Sequence, residues 1–143
     1  SFFNIPRKFF LMYYIAYGSN LNFKLMRSRC PRARPVFYLN GVRVNKLSGW
    51  SLSFNRYANI IKNNNGFVPI GLWKITKYCE KELDIYENFP ILYSKIYFKY
   101  YSIKAMTYVM NSNKLLKPSN TYLKLIYQGY KDFNLNPGYL KNI

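Results

Sequence analysis

Histidine is absent from these 143 residues, and cysteine occurs only twice, as Cys30 and Cys79. Without an imidazole the chain holds no Ser-His or Cys-His nucleophile pair. Without a cluster of Cys and His it offers no ligand set for a structural zinc. Two cysteines so far apart in sequence are expected as free thiols of the kind common in the cytosol, with a single disulfide as the alternative. Acid is nearly as scarce, with 5 Asp and Glu against 22 Lys and Arg, a net charge of +17. Nor does any apolar run reach the roughly 18–20 residues of a membrane-spanning helix.

What is present suits one folded domain. Hydrophobic residues make up 50% of the chain and aromatic residues 20%, enough for a proper core and too much for a disordered polymer. The surplus of positive charge attracts anions of any kind: nucleic acid, lipid headgroups or acidic metabolites. It accompanies a richness in Lys, Asn, Ile, Tyr and Phe, whose codons are A/T-heavy. Genomic base bias accounts for such a surface equally well, so charge alone assigns no function.

The stretch 13–22, Tyr-Tyr-Ile-Ala-Tyr-Gly-Ser-Asn-Leu-Asn, organises the rest. Residues 13–16 have the composition of a buried strand. Tyr17, Gly18, Ser19 and Asn20 break it, and Asn22 suits the N-cap of a helix over 23–29 that Pro31 ends. A strand, a glycine turn and a helix start gather backbone N–H groups and positive potential in one place, where a carboxylate or phosphate fits. Many αβ proteins carry such a turn and bind nothing there. Arg27, Arg29, Arg32 and Arg34 at the end of this helix read first as cations complementing a helix C-terminus, and second as an anion patch.

The remaining pattern alternates short strands with two helices. Residues 35–40 and 41–46 read as strand, turn and strand. Residues 50–54 alternate with period two, as in a half-buried strand. A short strand at 58–61, a turn at 62–66 and a strand at 67–75 follow, with Pro69 and Gly71 hinting at an edge or bulge. Residues 76–86 read as a helix capped by Thr76, 93–101 and 103–110 as a hairpin, and 121–133 as an amphipathic helix bearing Tyr122, Leu125, Ile126 and Tyr130. Residues 1–11 contain Arg7 and Lys8 before an apolar run and mimic a signal sequence, but lack a small-residue cleavage site before the glycine turn. They read as an N-terminal extension to a domain over 12–143.

Four of the five acids lie in one short segment: Glu80, Glu82, Asp84 and Glu87, with Asp132 apart. Glu87 ends the second helix among Tyr86, Phe89 and Pro90. A carboxylate there is open to desolvation, which raises its pKa toward that of a proton acceptor. The plainer alternative is an exposed glutamate pairing with a surface lysine.

Residues 14–22, followed by Met26 and Arg29-Cys30-Pro31, resemble the opening motif of the γ-glutamylcyclotransferase-like (AIG2-like) family. Leu83-Asp84-Ile85-Tyr86-Glu87 resembles that family's Leu-Asp-x-x-Glu segment, and Pro118-Ser119-Asn120-Thr121-Tyr122 its closing Pro-Ser-x-x-Tyr helix. The three motifs occur in order across nearly the whole chain. Asn88 departs from the glycine usual after the glutamate, though asparagine tolerates a left-handed backbone. The resemblance implies an α+β fold, a small mixed barrel-like sheet with helices outside. It implies release of 5-oxoproline from γ-glutamyl compounds by attack of the substrate's own α-amine on its γ-carbonyl, in the cytoplasm and without a cofactor. Glu87 would be the proton acceptor. Tyr14, Ile15, Ala16, Tyr17, Gly18, Ser19, Asn20 and Tyr122 would bind the substrate. A silent relative using its basic surface on nucleic acid or another anionic partner is the competing expectation.

Overall fold

The computed structural model describes residues 12–142, so the expectation for the extension 1–11 lies outside the described residues. Nine strands and three α-helices follow one another in chain order among the described residues. Strand β1 (Met12–Ala16) is central to an open five-stranded sheet of order β2-β7-β1-β9-β8, formed with β2 (Arg34–Val36), β7 (Gly71–Ile75), β8 (Tyr93–Tyr100) and β9 (Ile103–Met110). It runs antiparallel to β7, with Tyr14 opposite Trp73, and parallel to β9, with Tyr14 opposite Met106. The fold is α+β as expected; the sheet is not closed, so barrel describes it only loosely.

The core runs through the three middle strands, where Ile15, Leu72, Trp73, Ile75 and Met106 are inaccessible to solvent. Trp73 meets Phe23 and Phe133 edge to face at centroid distances of 5.3 Å each. That cluster clamps α1 (Phe23–Arg29) and the end of α3 (Asn120–Asp132) onto the sheet.

The capping residues set the helix starts. Asn22 accepts from the Leu25 N–H, Thr76 from the Cys79 N–H at the head of α2 (Lys77–Tyr86), and Ser119 from the Tyr122 N–H. On α3 the buried stripe is Ile126, Gly129 and Tyr130, while Leu125 is exposed. Gly129 is required there because a Cβ would stand within 2.7 Å of Leu21 and Asn22.

Three expectations are corrected. The polar run 62–66 is not a turn. It lies within β6 (Tyr57–Pro69), which pairs with β5 (Lys46–Asn55) on both sides of that run. Between the pairs Ser48–Phe67 and Trp50–Lys62, residues 63–66 face the single residue Gly49, whose φ is +87°. The asparagines therefore bulge out of a long two-stranded ribbon. Secondly, 67–75 is not one strand. Its first part ends the ribbon at Pro69, where an unpaired edge tolerates proline. Its second part, β7, is interior to the main sheet, and Ile70 between them donates to the Asn45 carbonyl at 3.0 Å.

Thirdly, Cys30 and Cys79 are not free thiols. They form a disulfide, with Cα atoms 5.3 Å apart. The end of α1 and the first turn of α2 pack side by side and bring the two within bridging range, although 49 residues separate them in sequence. A pairing set by helix packing leaves no local trace in the chain.

Candidate active site

The glycine bend leaves the sheet at the carboxyl end of β1 and tightens into a 3₁₀ turn over Ser19–Leu21. Its position is fixed from behind. The indole N–H of buried Trp73 donates to the Asn20 carbonyl at 2.9 Å, and the Asn22 amide donates to the Leu125 carbonyl at 3.2 Å. In front of it opens a cavity of about 370 Å³. The bend contributes Gly18, Ser19 and Asn20 to the wall, the turn of the ribbon contributes Tyr57 and Ala58, and the end of α2 contributes Tyr86 and Glu87.

At the head of α1 two of the backbone donors are taken by the chain itself. The first N–H of α1, on Phe23, donates to the Asp132 carboxylate at 2.8 Å, and the Leu25 N–H goes to Asn22. The helix start is thus occupied by its own chain, and the 3₁₀ bend, not the helix, faces the cavity.

Each acid has a distinct place. Lys95 bridges Glu80 and Asp84 at 2.8 Å each, and the Tyr108 hydroxyl donates to Asp84 at 2.5 Å. Glu82 is exposed, and Asp132 caps α1. Glu87 is the carboxylate that lines the cavity. It caps the C-terminus of α2, its own N–H bonded to the Leu83 carbonyl at 2.8 Å. Asn88 follows at φ +51°, so asparagine supplies the left-handed turn for which glycine is usual.

Burial pushes the Glu87 carboxyl up to about 7, against the partial opposition of the Arg29 guanidinium. The Asn20 amide approaches Glu87 Oε1 at 3.4 Å and donates to the Tyr14 hydroxyl at 3.0 Å. The neighbouring phenols are held neutral. Burial raises Tyr14, Tyr17, Tyr93 and Tyr108 well above the usual tyrosine value and Tyr122 to about 12. The Tyr122 hydroxyl lies against Ser19 and accepts the Ala58 N–H at 3.0 Å, bracing the bend against the ribbon.

Of the residues singled out in the sequence, Glu87, Tyr14, Tyr17, Gly18, Ser19, Asn20 and Tyr122 meet around this one cavity. Ile15 and Ala16 do not. Their side chains are in the core, and the Ile15 carbonyl accepts the Thr107 hydroxyl at 2.7 Å. Tyr17 is both wall and anchor, since its hydroxyl donates to the Tyr108 carbonyl at 2.5 Å. Sequence reasoning missed Tyr57, Leu92, Tyr93, Thr107 and Tyr108, which reach the wall from three further segments, and Tyr86, which stands beside Glu87. It also missed Arg29, read as a helix-end cation, whose guanidinium bonds the side chains of Ser19 and Asn20. One signal was there: Arg29 falls inside the opening motif.

No family model matches the chain, and no curated protein matches it. Solved structures do. A structure of a gamma-glutamyl cyclotransferase matches with a TM-score of 0.79 at 25% identity, covering 92% of this chain and 85% of that one. An uncharacterized protein from Homo sapiens matches with a TM-score of 0.76, also at 25% identity, covering 92% of this chain and 85% of its own. An uncharacterized protein from Pyrococcus horikoshii shares the fold at 15% identity, with a TM-score of 0.55 over 76% of this chain and 81% of that one.

Proposed function

We propose that this chain, γ-glutamylcyclotransferase-like in fold and in motifs, is an enzyme that releases 5-oxoproline from γ-glutamyl amino acids or amines. The observation that carries the proposal is Glu87: a lone cavity carboxylate, held near neutrality by burial, facing the Ser19–Asn20 bend. A base with a pKa near the working pH combines a useful deprotonated fraction with enough basicity to accept a proton.

In this mechanism the substrate supplies its own nucleophile, so a chain without histidine is sufficient. Glu87 takes a proton from the substrate α-ammonium. The freed amine attacks the γ-carbonyl, forming the new ring C–N bond. As the tetrahedral intermediate collapses, the γ-C–N bond to the leaving amine breaks; Glu87 returns its proton to that amine, and the second proton, shed by the ring nitrogen as it becomes an amide N–H, passes to the same amine, which departs as an ammonium. The protein's main task is to hold the substrate folded, which converts the ring closure into a well-oriented intramolecular attack. The Ser19 hydroxyl and the N–H groups of the bend would hold the α-carboxylate and donate to the developing oxyanion. The Tyr122 hydroxyl keeps Ser19 in place.

The test is a panel of γ-glutamyl dipeptides and γ-glutamylamines incubated with the protein and assayed for 5-oxoproline. The expected result is turnover by the wild type and its loss in Glu87→Gln. Full activity in Glu87→Gln would remove the assigned base. No cyclised product from any substrate, together with steeply salt-dependent nucleic-acid binding, would favour the binding-module alternative.

A further inference from the structure

We propose that Arg29 is a positioning residue for Glu87, acting through Asn20 and through its own charge; this rests on the reading of Glu87 as the base. Arg29 is the last residue of α1 and does not line the cavity. It reaches the site from behind the glycine bend. Its Nη1 donates to the Asn20 side-chain carbonyl and lies 3.4 Å from the Ser19 hydroxyl. With the Asn20 oxygen held by the guanidinium, the Asn20 amide nitrogen is turned outward to Glu87 and Tyr14. The side-chain amide can face only one way while both bonds are made, so Arg29 selects the orientation that presents a donor to the carboxylate.

A second contact ties the cation to the element that carries the base. The guanidinium lies over the Tyr86 ring, 3.1 Å from its centroid, and Tyr86 is the residue before Glu87. Arginine suits this place better than lysine, because a flat guanidinium stacks on a ring while its edge donates forked hydrogen bonds.

The charges around Glu87 leave Arg29 as the effective one. From β1 and the bend come the phenols of Tyr14 and Tyr17, from β8 Tyr93, from β9 Tyr108, and from α3 Tyr122, all held uncharged by burial. On α2 itself Asp84 and Glu80 are paired with Lys95. A cation beside a desolvated carboxylate favours its ionised form. Without Arg29 the base would stay protonated to higher pH and would be poorly aimed.

The test compares wild type, Arg29→Gln and Arg29→Lys by two readouts. The first is the pH profile of kcat/KM with a γ-glutamyl dipeptide. Arg29→Gln is expected to move the acid limb upward by about one pH unit, a loss of about tenfold below the limb and less above it. Arg29→Lys is expected to restore most of that displacement while KM rises from the lost fork. The second readout needs no turnover. Carbon-13 labelling of glutamate gives side-chain carboxyl signals for Glu80, Glu82 and Glu87 only, and Glu87→Gln identifies the third. Its titration midpoint should rise in Arg29→Gln. An unmoved midpoint, with kcat/KM lowered equally at every pH, would overturn the proposal and leave Arg29 a structural residue. A wild type that turns over no γ-glutamyl compound would sink the enzymatic reading, while the midpoint would still decide the part played by Arg29.

Discussion

The Asn20 side-chain amide points at the Glu87 carboxylate across 3.4 Å, although the two lie 67 residues apart in the chain. Asn20 belongs to the bend after β1 and Glu87 to the cap of α2. Their meeting requires β7 to lie beside β1, because α2 starts where β7 ends. The proposed base and the proposed cradle are thus coupled through the central strand pair.

The raised pKa of Glu87 has a consequence for stability. Its folded value, about 7, lies above the ordinary 4.5. Between these values the folded state binds more protons than the unfolded one, so stability falls as pH rises through that window. Replacing the carboxylate by a neutral isostere removes the loss. Glu87→Gln should be more stable than wild type by about 2 kcal/mol at pH 8 and no more stable at pH 4. Urea unfolding at the two pH values checks this.

Gly18→Ala should damage the site while leaving the fold in place. The added Cβ would stand 2.9 Å from the Ala58 Cβ and 3.2 Å from the Tyr122 hydroxyl. The ribbon turn or Tyr122 must shift, and the Tyr122 bond to the Ala58 N–H is the first to suffer. With displacements of about 1 Å in positioning groups costing up to about a hundredfold, kcat/KM should fall at least about tenfold. Steady-state kinetics beside an unchanged far-UV circular dichroism spectrum would establish it.

Lys95 holds α2 on the sheet. Its side chain is 8% exposed and faces two carboxylates. Lys95→Met strands Glu80 and Asp84 close together with no cation between them, at a cost of about 2 kcal/mol. For a chain of this size that corresponds to a fall in Tm of about 4–8 °C, measurable by calorimetry.

Reduction of the Cys30–Cys79 bridge should loosen the chain. Opening a closed loop of this length is expected to cost about 2–4 kcal/mol. An alkylating reagent should label neither cysteine before reduction and both after it, read by intact mass, and the denaturant midpoint should drop in parallel.

Much of the local structure was legible from single side chains. Asn22 and Thr76 announced their helices because a side-chain acceptor satisfies an N–H that nothing else nearby can. Period two announced the half-buried strand within β5. The same local rules failed at 62–66, where an asparagine run that favours turns bulges from the middle of a long ribbon whose pairing resumes on both sides of it. They also failed at Arg29, which sits where a helix-end cation belongs and yet turns its charge inward, because Ser19 and Asn20 are folded back within its reach.

The sequence by itself determined the chemical inventory: no imidazole, one carboxylate set among aromatics at a helix end, and one glycine bend after a buried strand. Tertiary structure alone decided which of these groups meet. Packing of β1 between β7 and β9 carried Glu87 to the bend, set Arg29 behind Asn20 and joined Cys30 to Cys79. Composition and periodicity are properties of neighbours along the chain. Burial, pairing and the pKa of a carboxylate are properties of neighbours in space.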